Sequence, residues 1–512
     1  LLAGVGLVVA AGAILTVRTA GRSVPLNTQP QPERDDDVFA RELKTRSTVE
    51  VNKALFDAYA QRDYQRAETV IREQITREPL RPVHRFNLAG NHAAKKDYDA
   101  AIGALRDAID RGYLDFHQLR RSHYFKPLHD DPRFQQILAD IPRYLDDHRR
   151  ASVSRVLDQF SHAEYTIETD DSLKLVYVSA RTPEETALAR REVGRVAAWA
   201  AQNVFPGVND PDNLELDPWE IVVLPSDEDF REWASDAYGP GWINDARAVG
   251  GKYDSDHYWL VAVDIGVAIR HEFMHLLHRR IRVHVNKQDH AEWIEEGLAS
   301  LVESYSPTAD GITLVPSVRT NTTARAAREG ALPSIQDMLG PPGRPDKGLP
   351  ALDNYAAWRS VFLYIHGRGE LRKFYFNYVK NLQQDPHGLE VLKAVLEVDF
   401  DQLNADFSRW ARALPIVPEW NVRNDSYVSL GLHVNPAPGH GPTVELVPAG
   451  SSASHAGLRR GDVILTIDGM LTSDVNELLY ALSTHGPGDT VEVGFRRAGT
   501  HRTADVVLID YD

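Results

Sequence analysis

Between residues 46 and about 150 the chain repeats itself, and the period limits what that stretch can become. Asp63-Tyr64 recurs as Asp97-Tyr98, Ala67 as Ala101, Ile71 as Leu105 and Ile75 as Ile109, each pair 34 residues apart. Within each unit the small and apolar residues fall on helical spacing. A unit of this length holds two short helices and a turn. It cannot bury its apolar face alone, so neighbouring units must stack. Pro79 closes the first unit. Two units are evident, and Phe116 to Leu138, broken at Asp131-Pro132, predicts a further helical piece that packs as a cap.

The period, with its Tyr and small residues, resembles the tetratricopeptide repeat. That resemblance implies a docking surface for a peptide or protein, while a plain helical spacer fits the same residues. Upstream, Leu1 to Val17 carries no charge. Residues 1–18 are expected to be a signal-anchor or transmembrane segment, with a cleaved signal peptide as the alternative. Residues 19–45, polar and rich in Pro, Asn, Gln and Asp, read as a linker.

The whole chain has 512 residues, which suggests about three domains. Its net charge is -16, which argues against nucleic acid as a partner because phosphate binding needs a basic face. It has no cysteine, so disulfides, thiol nucleophiles and Cys-ligated metals are excluded. Any zinc site must use His and carboxylates.

From about 160 the pattern changes. Leu173 to Ala180 alternates like a strand. Thr182-Pro183-Glu184-Glu185 supplies an N-cap, a proline at the first helical position and a capping-box glutamate, so a helix is expected to about Asn203. Ile221–Leu224 and Tyr258–Val263 read as buried strands, and a helix should start near Val267. Helices then dominate to about Leu414. This is an α+β order.

On that helix His271 and His275 lie about 6 Å apart along the axis and on one face. One divalent ion can reach both. Glu272 is next to the first, where its carboxylate can face a metal-held water. The pattern His-Glu-x-x-His suits a zinc hydrolase. A further apolar helix, Trp293-Ile294-Glu295-Glu296-Gly297-Leu298-Ala299, brings an inward carboxylate. At this point the sequence resembles the gluzincin peptidases, the thermolysin-like group that includes the aminopeptidase N relatives. The resemblance implies Zn2+ as cofactor, with His271, His275 and Glu296 as metal ligands and Glu272 as the catalytic base. Glu295 is turned about 100° away from Glu296 and cannot ligate with it.

Glu303, seven residues on from Glu296 and on the same face, matches a family glutamate and is expected to hydrogen-bond a ligand histidine. Position 300 is Ser, a departure from the thermolysin version, which has Asp there. His278 lies about 10.5 Å from His271 along the axis, too far to share the ion. His284 and His290 are expected at the surface. Gly250 and Gly251 precede the strand before the metal helix, where the family pairs an edge strand with extended substrate. Glycines there, or an ordinary turn, fit the sequence. Tyr355 is the expected oxyanion-stabilising group, with Tyr364 and His366 as competitors. The segment before the Gly-Gly pair lacks the acidic residue that aminopeptidases of the family carry, which favours an endopeptidase.

Pro415 to Asn424 reads as a linker. Beyond it, Leu430-Gly431-Leu432, Ala456-Gly457-Leu458-Arg459-Arg460-Gly461-Asp462-Val463-Ile464 and Ile467-Asp468-Gly469 fit, in order, a PDZ domain of the bacterial protease-associated type. The resemblance implies that Leu430, Gly431 and Leu432 present amides to a peptide's C-terminal carboxylate, with Val475 to Leu482 as the other wall of the groove.

The expected architecture is multidomain: all-α TPR-like repeats at 46–150, an α+β zincin-type peptidase domain at 160–415 and a small β-rich PDZ domain at 426–512. The expected function is a membrane-anchored zinc metallopeptidase acting on a peptide or protein, its catalytic part extracytoplasmic, or periplasmic in a bacterium. A non-catalytic peptide-binding scaffold on the same fold is the rival.

Overall fold

The computed structural model describes residues 35–510 except 80, 239–249, 256, 286–289, 310, 341–353, 421, 423–427 and 437–440. The expected anchor at residues 1–18 lies outside the described residues. Among those described, no helix is long and apolar enough to cross a membrane. The chain divides into two compact units, Leu1–Ala151 and Ser152–Asp512.

The first unit is helical: α1 (Asp35–Leu43), α2 (Thr48–Ala60), α3 (Tyr64–Arg77), α4 (Pro82–Ala94), α5 (Tyr98–Asp110), α6 (Phe116–Arg121), α7 (Pro132–Ala139) and the start of α8 (Ile141–Gln159). The 34-residue offset is copied at the level of hydrogen bonds. Asp63 caps α3 by accepting from the Arg66 amide, and Asp97 caps α5 by accepting from Ala100. The residue before each cap, Arg62 and Lys96, has φ of 57° and 66°, a left-handed backbone rare for residues with a side chain. Ala67 and Ala101 are fully buried, as are Ile71 and Leu105. The repeat therefore reproduces turn, cap and core together. Asp131 caps α7, with Pro132 at its first position.

The second unit opens with a five-stranded sheet of order β1-β2-β3-β5-β4, made of β1 (Thr166–Asp170), β2 (Leu175–Ser179), β3 (Glu220–Val223), β4 (Gly251–Asp254) and β5 (Trp259–Ala262). β2, β3 and β5 run parallel, and β4 is an antiparallel edge. All residues of the three parallel strands are buried, as in a parallel sheet covered on both faces, so the alternation read at Leu173 to Ala180 does not mark a solvent-facing side. Between strands lie α9 (Pro183–Asn203), α10 (Pro211–Leu214) and α11 (Asp227–Tyr238). The capping box predicted at Thr182 and Glu185 is formed.

After the sheet come α12 (Val267–Val285), α13 (Glu292–Leu301), the hairpin β6 (Tyr305–Thr308) and β7 (Gly311–Leu314), then α14 (Val318–Glu329), α15 (Ile335–Leu339), α16 (Asn354–Gly367), α17 (Leu371–Asn381), α18 (Leu389–Leu396) and α19 (Phe400–Ala413). The segment expected as a linker at 415–424 is tied down where it is described. Asn321 of α14 donates to the Val417 carbonyl at 2.8 Å and accepts from its amide at 2.9 Å, and Val417 is buried. Composition hid this, because Pro and polar residues that suit a loose linker also suit a segment held by its backbone.

The C-terminal part has β8 (Val428–Ser429), β9 (His433–Asn435), β10 (Thr443–Leu446), α20 (Ser452–His455), β11 (Val463–Ile467), β12 (Met470–Leu471), α21 (Val475–Ser483), β13 (Thr490–Arg497), β14 (Thr500–Val507) and β15 (Ile509–Asp510). Its main sheet runs β14-β13-β11-β10-β9, with β12 on β11, and β8 pairs β15. Val444, Ile464, Ile467, Leu478, Val491, Val493 and Phe495 form its core.

Candidate metal centre

Helix α12 starts where Asp264 accepts from the Gly266 amide at 2.7 Å and the Ala268 amide at 3.1 Å. Ile269, Phe273, Met274, Leu276 and Leu277 seat one side of it in the core. His271 and His275 thereby face α13. That helix is held close to α16 by a missing side chain. A Cβ on Gly297 would lie 2.5 Å from the Phe362 ring. The glycine after Glu296 is thus required by packing, and it fixes where the Glu296 carboxylate sits.

The three side chains converge. His271 Nε2 and His275 Nε2 are 3.2 Å apart, His271 Nε2 is 3.2 Å from Glu296 Oε2, and His275 Nε2 is 3.5 Å from the same oxygen. Among the described residues this is the group of His and carboxylate side chains with ligand-like spacing. A tetrahedral ion with bonds of about 2.0–2.1 Å needs ligand atoms about 3.3 Å apart. The triangle meets that requirement, and two imidazoles with one carboxylate suit zinc while leaving a fourth position open.

The surroundings favour positive charge. Burial lowers His271, but hydrogen bonds to Glu296 and Glu303 outweigh it and push it up to about 10. Burial raises Glu296, yet both histidines hold it below the usual carboxylate range. Glu303 Oε1 lies 2.9 Å from His271 Nδ1. Arg319 grips the same carboxylate, Nε to Oε2 at 2.6 Å and Nη2 to Oε1 at 3.1 Å. Against the cost of its burial, these partners hold Glu303 down to about 2. Arg319 carries no sequence motif, and nothing in the chain's pattern marks it.

Glu272 is on the β4 side of the site. Its Oε2 accepts from the Tyr253 amide at 2.7 Å. A Cβ on Gly251 would stand 2.9 Å from Glu272 Cγ, and one on Gly250 3.4 Å from Ala268 Cβ. The close approach these glycines allow is between β4 and α12. The sequence left that space open to a substrate backbone or to an ordinary turn. Tyr355 opens α16 with its ring centroid 6.1 Å from that of His271, and burial together with Glu296 raises its hydroxyl. Tyr364 packs instead against Phe407 and Trp410, and His366 against Trp199.

Glu295 is not among the converging side chains: it pairs with Arg282, further along α12. His290, expected at the surface, is buried, with its Nδ1 2.8 Å from His278 Nε2 and Phe205, Tyr375 and Tyr378 around the pair. Those aromatics come from segments distant in the chain, so local polarity misled. The side chain of His284 lies outside those described.

The PDZ family description matches residues 424–508. Residues 424–508 are a PDZ domain. Its first strand region carries Leu430, Gly431 and Leu432. Gly431 has φ of 74° and its amide donates to Ser429 Oγ at 3.0 Å, while the Leu430 carbonyl accepts from Ala453 at 3.1 Å. β9 is the sheet edge beyond this turn. No curated protein sequence matches this chain.

Among solved structures, the chain is similar to the HtrA-type protease AlgW with decapeptide, at 23% identity over 17% of this chain and 30% of that one, TM-score 0.16. A serine endoprotease from Yersinia pestis gives 21% identity over 17% and 31%, TM-score 0.15. An aminopeptidase N family protein from Idiomarina loihiensis gives 14% identity over 68% of this chain and 67% of that one, TM-score 0.28. The chain thus spans less than a third of the length of the HtrA-type proteins it matches. Overlaps this loose carry no argument about the rest of the chain.

Proposed function

We propose that this protein is a zinc-dependent peptidase of the gluzincin kind, cleaving within peptide chains, with its PDZ domain and tetratricopeptide-like helices serving to dock substrate or partner. The proposal includes attachment to a membrane through residues 1–18, with the catalytic part outside the cytoplasm. The observation that carries the catalytic reading is the His271–His275–Glu296 triangle with a further carboxylate, Glu272, beside it, held by the Tyr253 amide.

A zinc ion held there supplies Lewis-acid polarisation of a carbonyl and acidification of a water molecule. The chain's own residues supply the rest. Glu303 accepts the Nδ1 proton of His271, which leaves the Nε2 lone pair aimed into the triangle. Arg319 keeps Glu303 ionised in that role. Glu272 takes the proton of the attacking water and passes it to the leaving amine. The Tyr253 amide holds this carboxylate in place. The Tyr355 hydroxyl donates to the oxyanion that develops on the scissile carbonyl. The edge of β4 pairs with extended substrate.

The deciding experiment loads the protein with zinc and compares wild type with Glu272→Gln on a peptide library. Zinc bound by both, with cleavage by wild type alone, is the expected result. Equal cleavage by both removes Glu272 from the mechanism. Peptide binding at the PDZ domain without cleavage by zinc-loaded wild type makes the protein a docking scaffold.

A further inference from the structure

The PDZ domain grips the metal helix through buried charges. Helix α21 begins at Asp474, and the residue before it, Ser473, sits at the start of α12, where its Oγ accepts from the Val267 amide at 3.3 Å. A Cβ on Gly266 would lie 2.2 Å from that Oγ, so the approach depends on a glycine at the head of the metal helix. Ser473 is in turn held by Glu477, whose Oε2 accepts from both its amide and its hydroxyl at 2.7 Å. The other Glu477 oxygen accepts from Arg270, the residue before His271. Both side chains are buried, Arg270 to 2% exposure.

Arg270 makes two further bonds. Nη1 donates to Glu192 of α9 at 2.9 Å, and Nη2 donates to the Glu303 backbone carbonyl at 2.6 Å. Glu303 is the residue whose carboxylate meets His271 Nδ1. A continuous path therefore runs from Glu477 through Arg270 to the backbone of Glu303, and through the Glu303 side chain to His271. A cavity of about 320 Å3 adjoins this path, with Glu303, Arg319, Asp474, Glu477 and Tyr480 among its lining. Tyr480, one turn on from Glu477, meets Ser306 Oγ at 3.2 Å. α21 thus presents Glu477 and Tyr480 to the catalytic part while Leu478, Ala481 and Leu482 pack into the PDZ core.

We propose that Glu477 of the PDZ domain is a positioning residue of the metal centre, acting through Arg270 and Glu303 on His271. The inference rests on the metal reading above. Removing the Glu477 charge leaves Arg270 buried with one counter-charge fewer, so the guanidinium shifts and the Glu303 backbone loses its anchor. Partners behind a ligand histidine govern metal affinity by about 10- to 100-fold when lost.

The test is zinc affinity of the full-length chain, measured by chelator competition, for wild type, Glu477→Gln, Glu477→Asp and Gly266→Ala. Circular dichroism checks that each is folded. Glu477→Gln is expected to weaken zinc about tenfold and to lower kcat with KM unchanged, since the β4 edge is not altered and the Glu477 side chain is turned to Arg270. Gly266→Ala is expected to weaken zinc through displacement of Ser473, with every charge intact. Glu477→Asp should fall between wild type and Glu477→Gln, and it carries the test should the Gln variant fail to fold. Zinc affinity within twofold of wild type in the folded variants overturns the proposal. Wild type that binds no zinc at all sinks the metal reading itself, an outcome distinct from the first.

Discussion

Helix α12 carries two histidine clusters, and they differ in almost everything but residue type. His271 and His275 face two carboxylates, and burial at His271 is overridden until that ring is pushed up to about 10. His278, one turn further along, meets His290 in a ring of aromatics. Burial lowers His278 well below its ordinary value, and burial with Arg282 nearby lowers His290 to about 3. His278 and His290 are buried, and His271 and His275 are mostly so. What separates them is whether an anion was buried with the imidazole. Burial alone gives a neutral packing pair. Burial with Glu296 and Glu303 gives an imidazole whose charged form is favoured.

The comparison breaks most visibly at Glu272. Glu272→Gln is expected to lower kcat by about 100- to 10,000-fold with zinc still bound. His278→Gln is expected to leave both zinc content and kcat near wild type. Steady-state kinetics beside metal analysis checks the pair. A loss of zinc in His278→Gln would erase the division between the clusters.

Glu303 is the next largest lever. Glu303→Gln withdraws the anion behind His271 and should weaken zinc about 10- to 100-fold, read by chelator competition. Gly297→Ala comes third. Its Cβ collides with Phe362, and overpacking of this kind costs about 1–3 kcal/mol, to be read in denaturant unfolding.

The smallest effect concerns pH. Histidines that are neutral when folded bind fewer protons than in the unfolded chain, where the ordinary value is 6.5. Stability from His278 and His290 is therefore complete above pH 6.5 and is lost as pH falls from 6.5 toward 3. His290→Asn is expected to flatten that part of the stability profile, followed by thermal unfolding across the range. An unchanged slope would mean the pair is not neutral in the native state.

Much of the site was readable because its parts are local. Two histidines four residues apart share a helix face whatever the fold, and Glu296 announces itself through the Trp-x-x-Glu-Gly pattern. The repeat was readable for the same reason, since 34-residue copies restate their own caps. Other parts depended on residues far apart in sequence. Arg270 meets Glu477 across 207 positions, and the Ala291 amide donates to the Tyr378 hydroxyl across 87. No periodicity encodes such pairings. His290 was read as exposed because its neighbours in sequence are polar, whereas its neighbours in space are Tyr375 and Tyr378. The glycines at 250 and 251 fitted either room for a substrate or an ordinary turn, because a sequence shows that a side chain is missing without showing what stands beside the gap.

The seam between α21 and α12 has a consequence for inheritance. PDZ domains are commonly pictured as cassettes that can be cut out or exchanged at their borders. Here the border runs through an ion pair, and excision at residue 424 would leave the buried Arg270, next to His271, with Glu192 alone of its two carboxylate partners. A transplanted PDZ domain would have to bring its own Ser473 and Glu477 equivalents to fit. The two halves of this seam can change only together.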